Sequence, residues 1–145
     1  MWCWIQMEHP DMAVSDDDAI TPKIVASLLS LSEQRVLKSP AFQFRVRHPD
    51  SRLKIITMGE LHEIVQQCIR SADIAVEPWM TATAPIFIDL SVVAKRFKLS
   101  PAEVRRSYIK PGKLQPIPLQ GPLGIRRVVY LKAIVDELVK TKNVR

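Results

Sequence analysis

From Leu90 to Arg106 the chain reads LSVVAKRFKLSPAEVRR, and its apolar positions fall into two helical groups separated by Lys98-Leu99-Ser100. Asp89 precedes the first group as an N-cap candidate, and Val93 and Phe97 form an i, i+4 apolar pair. Leu99 anchors the turn. Ser100-Pro101-Ala102-Glu103 is a helix start, with Ser100 as N-cap, Pro101 at the first helical position and Glu103 placed to return a hydrogen bond. The second helix is predicted to run to about Tyr108, where Pro111-Gly112 ends it. Beyond it, KLQPIPL and IRRVVY read as two extended arms around the turn QGPLG, and Pro116 and Pro118 mark an edge strand. A last helix from Leu131 to about Lys140 carries Ile134, Val135, Leu138 and Val139 on one side.

The pattern occurs twice. At an offset of 68 residues Ile20, Val25, Ala26, Leu31, Ser32 and Val36 fall on Ile88, Val93, Ala94, Leu99, Ser100 and Val104. At an offset of 73, Ile55, Ile56 and Leu61 fall on Val128, Val129 and Ile134, so the second copy has five more residues between the two blocks. Each copy reads helix, turn, helix, hairpin, helix. In the first, Thr21-Pro22 and Ser32 start the helix pair, and FQFRVR alternates apolar Phe42, Phe44 and Val46 with polar neighbours, a half-buried strand. HPDS makes the turn and LKII returns. Thr57 and Glu60 form a capping box ahead of a long helix from Gly59 to about Ile74, whose buried stripe includes Cys68. The stretch AVEPWMTATAP reads as a linker that Trp79 would pin to a neighbouring surface. The expected architecture is α+β, mostly helical. An acidic arm occupies residues 1–19, one module residues 20–75, a linker 76–85 and a second module 86–145.

Charge sharpens this picture. Residues 1–19 carry −5, residues 20–84 carry +2 and residues 85–145 carry +9, with thirteen basic and four acidic side chains in the last segment. A surplus of that size on a small domain favours a polyanionic partner, because neutralised phosphates release counterions. A helix-turn-helix reads double-stranded DNA when its second helix enters the major groove and the first braces it. With Val104 facing inward, Ser100, Ala102, Arg105, Arg106 and Lys110 are left toward the outside, and arginine can contact guanine O6 and N7 bidentately. The hairpin, or wing, adds Lys113, Arg126 and Arg127 as phosphate or minor-groove contacts, and Arg96 lies on the bracing helix. The corresponding set in the first copy is Gln34, Arg35 and Lys38 on the second helix and Arg45, Arg47, Arg52 and Lys54 in the wing.

SVVAKRFKLSPAEVRRSYIKPGKLQPI followed by IRRVVYLKAIVDEL resembles the winged helix-turn-helix of phage excisionases, also called recombination directionality factors, and of MerR-type regulators. The matching residues are Val93-Ala94, Leu99-Ser100, Val104, Gly112 with Leu114 and Pro116, and Arg126-Arg127 to Tyr130. The resemblance implies two tandem winged modules forming an internal pseudo-dimer. It also implies a DNA-binding protein of a phage, plasmid or integrative element that promotes excision or acts on promoters. It implies no catalysis, no cofactor and no metal. An integrase or other recombinase, RNA polymerase, or further copies of the chain on DNA are the protein partners it suggests. Residues 20–70 join the resemblance only through the repeat, and the first copy lacks a counterpart of Gly112. Leu28 and Leu37 also replace Arg96 and Arg105 there, which suggests packing against the other module, the long helix or a protein.

The rival reading is a tandem module that docks a recombinase, relaxase or polymerase without reading bases. An enzyme finds no support in the sequence. His9, His48 and His62 are scattered, and there is neither a Gly-rich phosphate loop nor a carboxylate pair beside a nucleophile. Two cysteines give no disulfide framework or zinc site. Without a secretory signal pattern or a membrane-length apolar run, the expected location is the cytoplasm, at the nucleoid, with no membrane partner. The acidic arm would mask the basic face in the absence of DNA.

Overall fold

The computed structural model describes residues 18–46 and 54–143. Strand β1 (Ala19–Ile20) leads into α1 (Pro22–Leu29), which starts where Thr21 Oγ1 accepts a hydrogen bond from Ile24 N at 3.3 Å. Helix α1 stops at Ser30, in the left-handed region at φ 56°. Ser32 then caps α2 (Glu33–Lys38) by accepting from Arg35 N at 3.2 Å. Strands β2 (Arg45–Val46) and β3 (Lys54–Thr57) follow, and the Thr57–Glu60 capping box opens α3 (Met58–Ser71).

The second half repeats these parts in the same order. Strand β4 (Phe87–Ile88) precedes α4 (Leu90–Phe97), capped by Asp89 and stopped at Lys98 with φ 59°. Ser100 caps α5 (Pro101–Val104), accepting from Glu103 N at 3.2 Å, and a π-helical turn (Arg105–Ile109) extends it. Next come β5 (Ile117–Pro118), a one-turn helix α6 (Gln120–Leu123), β6 (Val128–Leu131) and α7 (Lys132–Asn143). The turns between paired helices also match, with Leu31 N donating to Ala26 O at 2.9 Å and Leu99 N to Ala94 O at 3.0 Å. The chain is therefore α+β, with seven α-helices and two three-stranded antiparallel sheets among the described residues. The strand orders, β1-β3-β2 and β4-β6-β5, are equivalent, and Pro118 lies on an edge strand.

Register corrects the sequence alignment by one residue. Ile20 pairs with Ile56, whereas Ile88 pairs with Tyr130, so the later block is displaced by 74 residues and not by 73. The error has a physical origin. A half-buried strand shows its register by alternation, but β6 is apolar on both faces and gives no such mark. Phe87, Ile117, Val129 and Leu131 point into one core and Ile88 and Tyr130 into another. The second sheet is a wall between two cores. On one side stand Val93, Phe97, Val104, Leu114 and Val135 of the second copy; on the other stand Val25, Leu29, Val36, Leu61, Val65 and Ile69 of the first.

The β5–β6 connection is accordingly no free arm. Leu119, Leu123 and Ile125 are buried in the first copy's core, Ser39 Oγ donates to Leu123 O at 2.7 Å, and Gln115 Nε2 donates to Ala72 O. On the opposite side Ser30 Oγ donates to Phe87 O, and Ile86 N to Leu28 O, both at 2.7 Å. Residues 76–85 hold a 3-10 turn (Pro78–Thr81) whose Met80 is buried while Trp79 stays exposed, so methionine anchors this segment where tryptophan was expected to.

Other boundaries move as well. The folded unit begins by Asp18, which is buried and whose carbonyl accepts from Met58 N at 2.8 Å, so the expected arm does not extend to Ala19. Residues 1–17, the HPDS turn, Arg47 and Arg52 lie outside the described residues. The strand expected from Phe42 starts later, since Phe42 is buried and Phe44 stacks on it at 6.0 Å, and among the described residues Arg45–Val46 form the ladder. Helix α3 covers Met58–Ser71, earlier at both ends than expected, and α7 starts after Leu131 because that residue completes β6.

Candidate nucleic-acid interface

The second copy presents its helix pair outward. Ser100, Ala102, Arg105, Arg106 and Lys110 are all exposed along α5 and its continuation, and Lys113 follows after Gly112. The π turn closes with Lys110 N donating to Arg105 O at 2.8 Å, and it lets both Tyr108 and Ile109 reach the core beside Val104. The Tyr108 ring stacks on Phe97 with centroids 4.2 Å apart. Gly112, at φ 84°, then reverses the chain, and Leu114 N donates to Tyr108 O at 2.9 Å. Packing thus fixes the inner face while Arg105 and Arg106 stay in water. Neither has a carboxylate partner among the described residues. Arg105 also lies close enough to Tyr130 for its charge to counter, in part, the upward shift that burial imposes on that phenol.

Three other arginines of the expected set are held by acids. Arg96 Nη2 lies 2.6 Å from Asp136 Oδ1, and Lys132 Nζ is 3.0 Å from the other oxygen of that carboxylate. Burial pulls Asp136 up, but these two cations outweigh it, and the carboxyl sits below its ordinary pKa. Arg127 Nη2 donates to Asp89 Oδ2 at 3.0 Å. Burial of Asp89 is likewise outweighed, by hydrogen bonds from Val92 N and Ser91 and by the Arg127 charge. Arg96 and Arg127 therefore tie α4 to α7 and to β6, and are less available to a ligand than their sequence positions suggested.

In the first copy Gln34, Arg35 and Lys38 are exposed on α2, and Lys54 is exposed on β3. Arg45 makes a two-pronged contact with Glu60, at 2.6 and 3.1 Å. The Arg45 hydrogen bonds hold the Glu60 carboxyl at about 2 and raise Arg45 above its ordinary value. The two leucines in arginine positions separate: Leu28 is packed on the first core, whereas Leu37 is 45% exposed beside Lys38. Arg35 and Lys38 also meet the second copy, since they share an open cavity with Ser39, Gly124, Ile125 and Arg126.

No family model matches the chain, and no curated protein or solved structure does either.

Other chemistry finds little footing. Cys68 is buried in α3 and desolvation pushes its thiol up to about 12, so it is a core residue without thiolate character at neutral pH. Among the described residues no group of His, Cys, Asp and Glu could hold a metal ion, and no helix is long and apolar enough to cross a membrane. Sequence reading missed the π turn and the meeting of Arg126 with α2. The first had a faint signal in the adjacent apolar pair Tyr108-Ile109, of which a regular helix would bring only one fully to Val104's face. The second arises between distant segments and had none.

Proposed function

We propose that the chain binds double-stranded DNA through two winged helix-turn-helix modules, with α5 and its π turn as the principal reader. The observation that carries this is a pair of arginines, Arg105 and Arg106, exposed without acidic partners among the described residues on a second helix whose opposite face is locked by Val104 and Tyr108. Such a helix offers its long side chains to a groove from a backbone already fixed by packing, so that only the side chains remain to be ordered. Lys110 and Lys113 flank it as phosphate contacts, and the +9 surplus of residues 85–145 supplies the long-range attraction. Helix α2 of the first copy assists with Gln34, Arg35 and Lys38, and Lys54 with them. Arg45 and Arg127 serve structure first. As a member of the excisionase-like or MerR-like class suggested by its motifs, the protein acts on the DNA of a mobile element, in directional excision or transcriptional control.

Duplex binding measured by fluorescence anisotropy over a series of salt concentrations tests this. Affinity should fall steeply with salt, and Arg105→Ala with Arg106→Ala should cost about 1–3 kcal/mol per lost base contact at the preferred site. Exposed Leu37 and Val46 favour a second reading, docking of a protein partner. Salt-insensitive capture of a recombinase or polymerase, with no duplex binding, would replace the DNA reading by this one.

A further inference from the structure

The cavity shared by the two copies holds an arrangement that neither copy has alone. Arg35 and Lys38 come from the last turn of α2, Arg126 from the segment just before β6, and together with Ser39, Gly124 and Ile125 they line an open notch of about 230 Å³. We infer that this notch is a composite seat for one phosphate group of a nucleic-acid backbone, contacted by both copies at once.

Three features point this way. Among the described residues the lining contains three cations and no carboxylate. The larger cavity beside α7, about 670 Å³, differs in that Asp136 and Glu137 stand among its cations and Asp136 pairs with Arg96 and Lys132. The notch is also rigidly founded, because Ser39 is buried and its hydroxyl donates to Leu123 O at 2.7 Å, fixing the end of α2 against α6. Gly124, the left-handed cap of α6 at φ 68°, contributes no side chain to the notch. Finally, among the described residues no aromatic ring lines the notch, so their side chains offer a base no ring to stack on. Its chemistry suits a phosphodiester and is blind to sequence.

The inference rests on the DNA reading for the source of the phosphate, but its geometry does not depend on it. Salt dependence of duplex binding tests it in the full chain. Arg126→Gln should lower the slope of log K against log salt by a part of the roughly 0.9 that one released phosphate counterion is worth, to the same degree on any duplex sequence. Arg126→Lys should keep the slope. Adding Lys38→Gln to Arg126→Gln should keep the total within one such increment, because both cations hold the same phosphate. An unchanged slope in Arg126→Gln, or two full increments in the double variant, overturns the composite seat while leaving α5 as reader. Inorganic phosphate, titrated while the Gly124 and Ile125 amide resonances are followed, separates the two readings. If no duplex binds yet these amides shift saturably in wild type and not in Arg126→Gln, the DNA reading falls and the seat stands. If neither duplex nor phosphate acts, both fall.

Discussion

At the scale of single residues, the distinction that matters is between arginines held by acids and arginines left in water. Glu60 illustrates the first kind. Its folded-state carboxyl, at about 2, lies below the ordinary 4.5, so the contribution of its Arg45 contact is complete above 4.5 and lost as pH falls toward 2. Denaturant midpoints should therefore fall in wild type over that window more than in Glu60→Gln, with the modest size expected of a solvent-screened pair. At neutral pH the same variant frees Arg45, and duplex affinity at low salt should rise; unchanged affinity would mean that β2 stands away from DNA. Arginine number was legible from the sequence, but the partners were not. Asp89 read as a helix cap and nothing more, Asp136 was not singled out, and only the fold brings Arg127 and Arg96 to them.

At the scale of elements, local chemistry was the most legible part of the chain. Thr21, Ser32, Thr57, Asp89 and Ser100 all cap the helices they were expected to start, because a cap is decided within four residues. Ser100→Ala should cost about 1 kcal/mol in chemical denaturation. It should also weaken duplex binding, whereas Ser32→Ala should cost similar stability with a smaller effect on binding if α5 is the main reader. Gly112 sits at φ 84° with nothing within 4 Å of where a Cβ would be, so Gly112→Ala meets backbone strain alone, about 1–2 kcal/mol. Less legible were the elements whose form depends on distant packing. The π turn after α5 follows from Tyr108 and Ile109 both packing beside Val104, and the burial of the β5–β6 connection and the hidden register of β6 follow from the second sheet being covered on both faces.

On this architecture the described residues should unfold as one cooperative unit. Leu119, Leu123 and Ile125 of the second copy complete the first copy's core, so residues 18–75 alone should give no cooperative melting transition. Leu123→Ala, which empties a nearly fully buried site, should cost about 2–5 kcal/mol and lower a single transition seen equally by probes in either copy. Two separated transitions would show that the copies fold apart. The sequence displayed the repeat but not this interlock, since both an independent pair and a shared core leave the same apolar spacing.

A shared wall also makes the chain a ruler with a direction. Two readers hinged on a loose tether can adjust to different spacings, and two identical subunits meet a palindrome the same way from either side. Here α2 and α5 are held at one separation by β4 and β6, and Leu37 stands in α2 where Arg105 stands in the continuation of α5. Such a protein would tolerate no half-turn insertion between its two contact sites. Because its ends differ, it would also settle on an asymmetric sequence in one orientation, so a complex assembled from one chain would already point along the DNA.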